Sequence, residues 1–303
     1  MSLKRVDVLM ATYNGAAYLR EQIDSVLAQE GVALRLVVRD DGSRDATPAI
    51  LADYAARYPE IVSVLTDSVQ RGASENFMLL LQQPSQADYF AFCDQDDVWL
   101  KDKLITAVEA LESSAAPVRL YCSAVSYVDE SLEALGSSAR QVTPSFNNAL
   151  VENIAQGCTM VFDAALRQTV LQHLPDKAAM HDWWMYLVAA AFGRVLHDPV
   201  PHMLYRQHGR NVVGGGFSLT QKIRKNWLRY TSGKAWQMAA QADQLQQLYP
   251  DALSPVQKEL IRQFIAGKHS LPARIAFLFD WRVRRQSFLE TLVVKLLVLI
   301  NAY

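Results

Sequence analysis

Cysteine is scarce in this chain. Cys93, Cys122 and Cys158 are the only three among 303 residues; they stand far apart, form no Cys-x-x-Cys pair and fall inside apolar runs. This argues against a disulfide framework and a cysteine zinc site, and for buried free thiols in a reducing compartment. Net charge is equally lacking: the formal value is −1, which offers no bulk attraction to nucleic acid. No Gly-x-Gly-x-x-Gly follows the first apolar run, so a dinucleotide-binding oxidoreductase is disfavoured. Long apolar runs are missing too. The opening MSLKRVDVLMATYNG is interrupted by Thr12 and Tyr13, too early for a secretory core, and the expectation is a cytoplasmic protein. The most apolar stretch, LETLVVKLLVLINAY at 289–303, contains Glu290 and Lys295 and falls short of the ~20 residues a membrane span requires. Basic stretches with aromatics lie upstream of it, KIRKNWLR at 222–229 and WRVRR at 281–285. Two readings stay open for this end: helices lying on the inner face of an anionic membrane, or helices packed on the domain or in a homodimer.

What the chain does have is alternation. Apolar runs at 5–11, 34–40, 62–67 and 88–94 read as strands, and the segments 18–29, 48–58, 71–83 and 101–114 repeat apolar residues at helical spacing. Strand and helix in turn predict an α/β fold with a mostly parallel central sheet flanked by helices, whose ligand site lies beyond the carboxyl ends of the strands. Further strands are expected at 118–129, 157–162 and 194–198, helices at 165–174 and 182–192, and a polar segment of little periodicity at 130–156. After the glycines at 214–216 the pattern is helical only, which suggests an α/β domain over 1–215 and a helical region over 216–303.

Three polar clusters follow the early strands. ATYNG at 11–15 is weak alone, because turns use glycine anyway. In RDDGSRD at 39–45, helix capping accounts for Ser43, Asp45 or Thr47, but not for Asp40 and Asp41 before them; a carboxylate there can accept the imino N–H of a pyrimidine base. CDQDDVW at 93–99 places three carboxylates in four positions after the apolar YFAFC. Such crowding calls for a cation or a proton between them, unless the run is a solvated turn. In an extended segment Asp94 and Asp96 share a side, as Gln95 and Asp97 share the other, and two same-side carboxylates suit Mg²⁺ or Mn²⁺. Asp97 is then left to start the next segment.

Taken in order, ATYNG, RDDGS and CDQDD resemble the family 2 glycosyltransferases of GT-A fold, over residues 4–215. The resemblance implies a nucleotide-sugar donor, with Thr12, Tyr13, Asn14, Asp41, Arg71, Gln95 and Gly157 on its side of the site and a divalent cation at Asp94 and Asp96. HDWW at 181–184 corresponds to the family's acidic pair, with His181 in place of the first acid. By itself Asp182 is a first-turn acid that favours the helix dipole; the resemblance makes it the general base of an inverting transfer. In YRQHGRNVVGG, Arg206 and Arg210 would meet the diphosphate and His208 would complete the metal site, with His202 as the alternative. CDQDDVW, HDWW and YRQHGRNVVG look most like bacterial rhamnosyltransferases of surface polysaccharide or lipopolysaccharide synthesis. That implies a dTDP-L-rhamnose donor and a saccharide or glycolipid acceptor. A UDP-hexose transferase and a non-catalytic nucleotide-sugar binding protein are the alternatives. Trp99 reads as core, whereas Trp183 and Trp184 read equally as core or as sugar-stacking platforms.

Overall fold

The computed structural model describes residues 3–65, 67, 69–176, 180–208 and 238–303. Its centre is a seven-stranded sheet built from β1 (Lys4–Thr12), β2 (Val32–Asp40), β3 (Val62–Leu65), β4 (Tyr89–Cys93), β6 (Arg119–Ser123), β9 (Val161–Asp163) and β10 (Arg194–Asp198). The spatial order is β10-β6-β9-β4-β1-β2-β3. β1 pairs in parallel with β2 and β4, β2 with β3, and β6 with β10; only β9 runs antiparallel to its neighbours β4 and β6. A smaller sheet, β5-β11-β7-β8, is made by β5 (Val98–Trp99), β7 (Ser126–Val128), β8 (Ala134–Ser137) and β11 (Met203–Arg206).

The strands sort their side chains by alternation. On β1, Val6, Val8 and Met10 join one core and Leu9 the other; on β4, Tyr89, Ala91 and Cys93 oppose Phe90 and Phe92. One core lies under α1 (Leu19–Leu27), α2 (Thr47–Arg57) and α4 (Lys103–Glu112). The other lies under α3 (Ala73–Leu81), α6 (Ala164–Gln172) and α7 (His181–Phe192), and it continues into the C-terminal helices α8 (Met238–Leu248), α9 (Pro255–Ala266), α10 (Leu271–Phe279) and α11 (Phe288–Leu299). Those helices are tied down by polar contacts as well, Tyr249 Oη to the Thr169 carbonyl at 2.9 Å and Gln257 Nε2 to the Ala191 carbonyl at 2.8 Å. The boundary expected at 215/216 lies outside the described residues.

Three local differences from the sequence reading have physical causes. The run 118–129, expected as one strand, is divided between the two sheets as β6 and β7. At the break the Val125 N–H donates to Ser138 Oγ and its carbonyl accepts from Ser137 Oγ, so side chains replace the strand ladder. The polar segment 130–156 contains β8 and a short helix, α5 (Phe146–Ala149), capped by Ser145. Helix α10 falls in the region expected to be helical but was given no bounds there; its signals are Ser270, which accepts the Ala273 N–H, and a proline in the first turn.

Gly193 ends α7 where the chain turns directly into β10. A Cβ there would stand 1.9 Å from the Val118 carbonyl oxygen, a backbone atom held in place by the Arg194 N–H, which donates to it at 2.9 Å. Gly193→Ala is therefore expected to lower stability by roughly 2–3 kcal/mol, measured as a shift in urea midpoint at constant slope.

Candidate active site

Register brings the polar clusters together. Thr12 lies opposite Asp40 and Met10 opposite Cys93, so β1, β2 and β4 end level and their loops emerge at one edge. The loops then bond to one another. Thr12 Oγ1 donates to Asp40 Oδ1 at 2.9 Å, the Asn14 N–H to Ser43 Oγ at 2.7 Å, the Gly15 N–H to Thr47 Oγ1 at 2.9 Å and the Arg44 N–H to Asn14 Oδ1 at 2.8 Å. Asn14 is held at φ 47°, a left-handed conformation that asparagine tolerates. Gln95 clamps the first loop: its Oε1 accepts the Tyr13 N–H at 2.7 Å and its Nε2 donates to the Tyr13 carbonyl at 3.0 Å. A Cβ on Gly15 would stand 2.2 Å from Gln95 Oε1, so glycine is what admits the clamp. The Tyr13 side chain itself is exposed.

Asp40 and Asp41 divide their work. Asp40 takes Thr12, Ser43 Oγ and the Ser43 N–H. Asp41, buried, accepts the Arg71 N–H and the Gly72 N–H, each at 2.8 Å, and the Arg39 guanidinium at 3.1 Å. It therefore orders the chain before α3, while the Arg71 side chain pairs with Glu75 at 2.9 Å.

The acidic run after β4 is bent at residues 95–96 rather than extended. Strict alternation of sides does not survive the bend. One ligating atom each of Asp94, Asp97 and Cys158 falls within 4.8 Å of the others. Asp97, expected to start the following segment, is instead buried: Oδ1 accepts the Arg206 N–H at 3.1 Å and Oδ2 has no partner among the described residues. Burial, reinforced by Asp96 and Asp94, drives its pKa well above the carboxylate range. Asp94 is pushed up to about 7 by burial and then by the charges of Asp96 and Asp182. Burial and mutual repulsion thus oppose the charged forms of Asp94 and Asp97, and hard oxygen donors of this kind are the type that fits Mg²⁺ or Mn²⁺. Cys158 fits poorly, since burial holds its thiol protonated and sulfur suits softer metals. All three cysteines are buried and unpaired.

Asp182 joins the same cluster from α7. Its Oδ1 accepts the Trp183 N–H at 2.7 Å and Oδ2 accepts the Gly157 N–H at 3.1 Å, so the helix-start role is real, and each oxygen retains a further lone pair. His208 Nε2 stands 2.7 Å from Asp96 Oδ2, and its ring stacks on Tyr18 at 5.2 Å. His202, the alternative, is engaged elsewhere, with Asp102 at 3.1 Å and Asp198 at 3.3 Å. Arg206, expected at the diphosphate, is turned into the protein. Its buried guanidinium donates to the Asp96 carbonyl at 3.0 Å, to the Glu130 carbonyl at 2.5 Å and to Glu21, and lies 4.4 Å over the Tyr18 ring. It shapes the acidic turn from behind. Arg210 lies outside the described residues. Trp99, Trp183 and Trp184 are all buried core residues.

Lys103 was missed. Its ammonium is buried behind the acidic turn, donates to the Cys158 carbonyl at 2.9 Å and lies 4.5 Å over the Trp99 ring, and burial lowers its pKa to about 8. The signal was available: Lys103 shares the buried stripe of α4 with Ala107 and Leu111, at spacings of a core position.

A parallel-rich α/β sheet with carboxylates gathered at its strand ends is an architecture whose ligands bind beyond the carboxyl ends of the strands. Residues 7–174 match the family described as Glycosyl transferase family 2, and the chain belongs to that family. It is 31% identical over 241 residues to the dTDP-rhamnosyl transferase RfbG of Shigella flexneri, covering 73% of this chain and 81% of that protein. Among solved structures, TarS of S. aureus in complex with UDP-GlcNAc is similar over 98% of this chain and 79% of that one, with TM-score 0.59 at 17% identity. The mannosyltransferase PcManGT of Pyrobaculum calidifontis, with GDP-Man and Mn²⁺, matches 98% and 88%, with TM-score 0.52 at 18% identity. The fold is thus that of the GT-A glycosyltransferases.

His181 supplies a test of the site's electrostatics. It is buried between Phe77 at 4.2 Å and Phe92 at 5.0 Å, and neither ring nitrogen has a partner among the described residues. Burial lowers its pKa. Below about pH 6.5 the unfolded chain therefore binds the proton that the folded one refuses, and stability falls as pH falls. His181→Leu is expected to flatten the melting temperature between pH 7 and 5 and to raise it at pH 5, followed by calorimetry.

Proposed function

We propose that the protein is an inverting, metal-dependent glycosyltransferase that moves L-rhamnose from dTDP-L-rhamnose onto a bacterial lipopolysaccharide or surface-polysaccharide acceptor. The observation behind it is the meeting of Asp182 with the acidic turn, close enough for its charge to raise the Asp94 pKa. The donor reading rests on the similarity to RfbG. Thr12, Tyr13, Asn14, Asp41, Arg71, Gln95 and Gly157 form the donor side, with Tyr13 exposed toward the base and Asp41 and Gln95 holding the loops that flank it. Asp94, Asp96 and His208, the last paired with Asp96 at 2.7 Å, would hold Mg²⁺ or Mn²⁺, with Asp97 close to Asp94. When bound, the cation supplies positive charge opposite the leaving diphosphate.

The chain's own residues do the rest. Asp182 takes the proton of the acceptor hydroxyl as that oxygen forms its bond to the anomeric carbon and the bond to the diphosphate breaks, which inverts the centre in one displacement. The Gly157 N–H, donating to Asp182 Oδ2, keeps the carboxylate aimed. Residues 1–215 make the catalytic domain and 216–303 a helical region, with the reaction on the cytoplasmic side of the membrane.

Asp182→Asn is expected to lower the transfer rate about 10³-fold with donor affinity retained, read by radiolabelled transfer alongside calorimetric titration. Unchanged transfer would remove Asp182 as the base. Chelation with EDTA should abolish turnover, and Mn²⁺ or Mg²⁺ should restore it; full activity after chelation would defeat the metal role. In a thermal-shift panel of nucleotide sugars with Mn²⁺ present, stabilisation by dTDP-rhamnose alone is expected, and a shift by UDP-hexoses instead would replace the donor.

A further inference from the structure

The C-terminal helices carry more exposed apolar side chain than their packing uses. On α11 the residues Thr291, Val294, Leu297 and Val298 face the core, while Phe288, Leu289, Leu292, Val293, Leu296 and Ile300 are exposed at helical spacing. On α10, Leu271, Ile275 and Phe279 repeat every fourth residue and are exposed as well, Phe279 at 77%. Trp281 and Phe288, stacked at 5.6 Å, join the two helices at their connection. The face is rigid. The buried Lys295 ammonium of α11 donates to the Phe277 and Asp280 carbonyls at 2.8 and 2.7 Å, and so caps the end of α10. No described helix is long and apolar enough to cross a membrane.

Beside this face, at the start of α11, lies a cavity of about 500 Å³ lined by Thr143, Asn147, Arg282, Arg284, Arg285 and Gln286, with a second one against Trp281 and Phe288. Arg282 is committed to Asp280 at 2.6 Å. The exposed Arg284 guanidinium has no acceptor among the described residues, and Arg285 reaches Glu152 and Glu290 only at 3.9 and 3.8 Å. The cavity is also tied to the catalytic helix. Asn148 donates to the Arg284 carbonyl at 3.1 Å and accepts from Tyr186 Oη at 2.9 Å, and Tyr186 stands one turn along α7 from Asp182.

From apolar stripes next to the unpaired Arg284 and the loosely paired Arg285 we infer that this face docks on an anionic lipid surface, with the Arg284–Arg285 cavity receiving a lipid phosphate. The stripes enter the headgroup boundary and the guanidiniums pair with phosphate oxygens above it. The inference deepens the cytoplasmic-membrane reading but does not depend on the donor, the metal or turnover.

The test is flotation of the full chain with phosphatidylcholine vesicles, with and without phosphatidylglycerol. Binding is expected only with the anionic lipid and is expected to weaken with added salt. Arg284→Glu should reduce it about tenfold, and Phe288→Ser with Leu292→Ser should abolish it, circular dichroism confirming that both variants fold. A blue shift of tryptophan emission on binding should be smaller in Trp281→Phe. Equal binding to neutral vesicles, or full binding by Arg284→Glu, would overturn the phosphate site. Inorganic phosphate binding without vesicle binding would make the cavity a free-anion site. A dimer in light scattering that Phe288→Ser with Leu292→Ser dissolves, without vesicle binding, would make the face an interface between copies.

Discussion

The backbone register of three parallel strands is the constraint on which the site depends. With Thr12 opposite Asp40 and Met10 opposite Cys93, the loops after β1, β2 and β4 have no choice but to share one edge. Hydrogen bonds among Asn14, Ser43, Thr47 and Gln95 then make them a single wall. A slip of one residue would send the alternating side chains of β1 and β4 to the wrong cores, so the two cores protect the register and the register protects the site.

The acidic turn is sustained from outside itself. Its charges are crowded, and the neighbours that answer them come from distant parts of the chain: the Arg206 guanidinium and N–H from β11, Lys103 from the buried stripe of α4, and His208 beyond the small sheet. The second sheet thus has a purpose in the architecture. By pairing β11 with β5 and β7 it delivers Arg206 and His208 to the turn. Arg206 is central in a way that its sequence neighbourhood hides. An arginine near a diphosphate site reads as an anion binder, but here its donors are spent on the Asp96 and Glu130 carbonyls and on Glu21.

Asp182, the proposed base, also has a structural role at the start of α7. It stands in the first turn of α7, where an acid suits the helix dipole, and the Gly157 and Trp183 N–H groups orient it. Cβ room is tight around the same point: one on Gly157 would stand 3.0 Å from His181 Nε2, so the helix start and the turn beneath it fit only with glycine or a shift of His181.

Periodicity and motif order in the sequence were enough for the strand–helix alternation, the edge at which the polar clusters meet, and the family. They sufficed because burial imposes periods of two and 3.6 that any core-facing segment must display. The division of 118–129 into two strands was not legible, because it depends on Ser137 and Ser138 meeting Val125 from the next segment. Nor was the work of Asp97, Lys103 and Arg206, since each side chain is placed by partners far along the chain and the bend at 95–96 cancels local alternation. Local sequence determined which residues are present at the strand ends and in what order. Only the tertiary structure decided which of them face one another, because desolvation and charge pairing act through space and are set by the packing of both sheets.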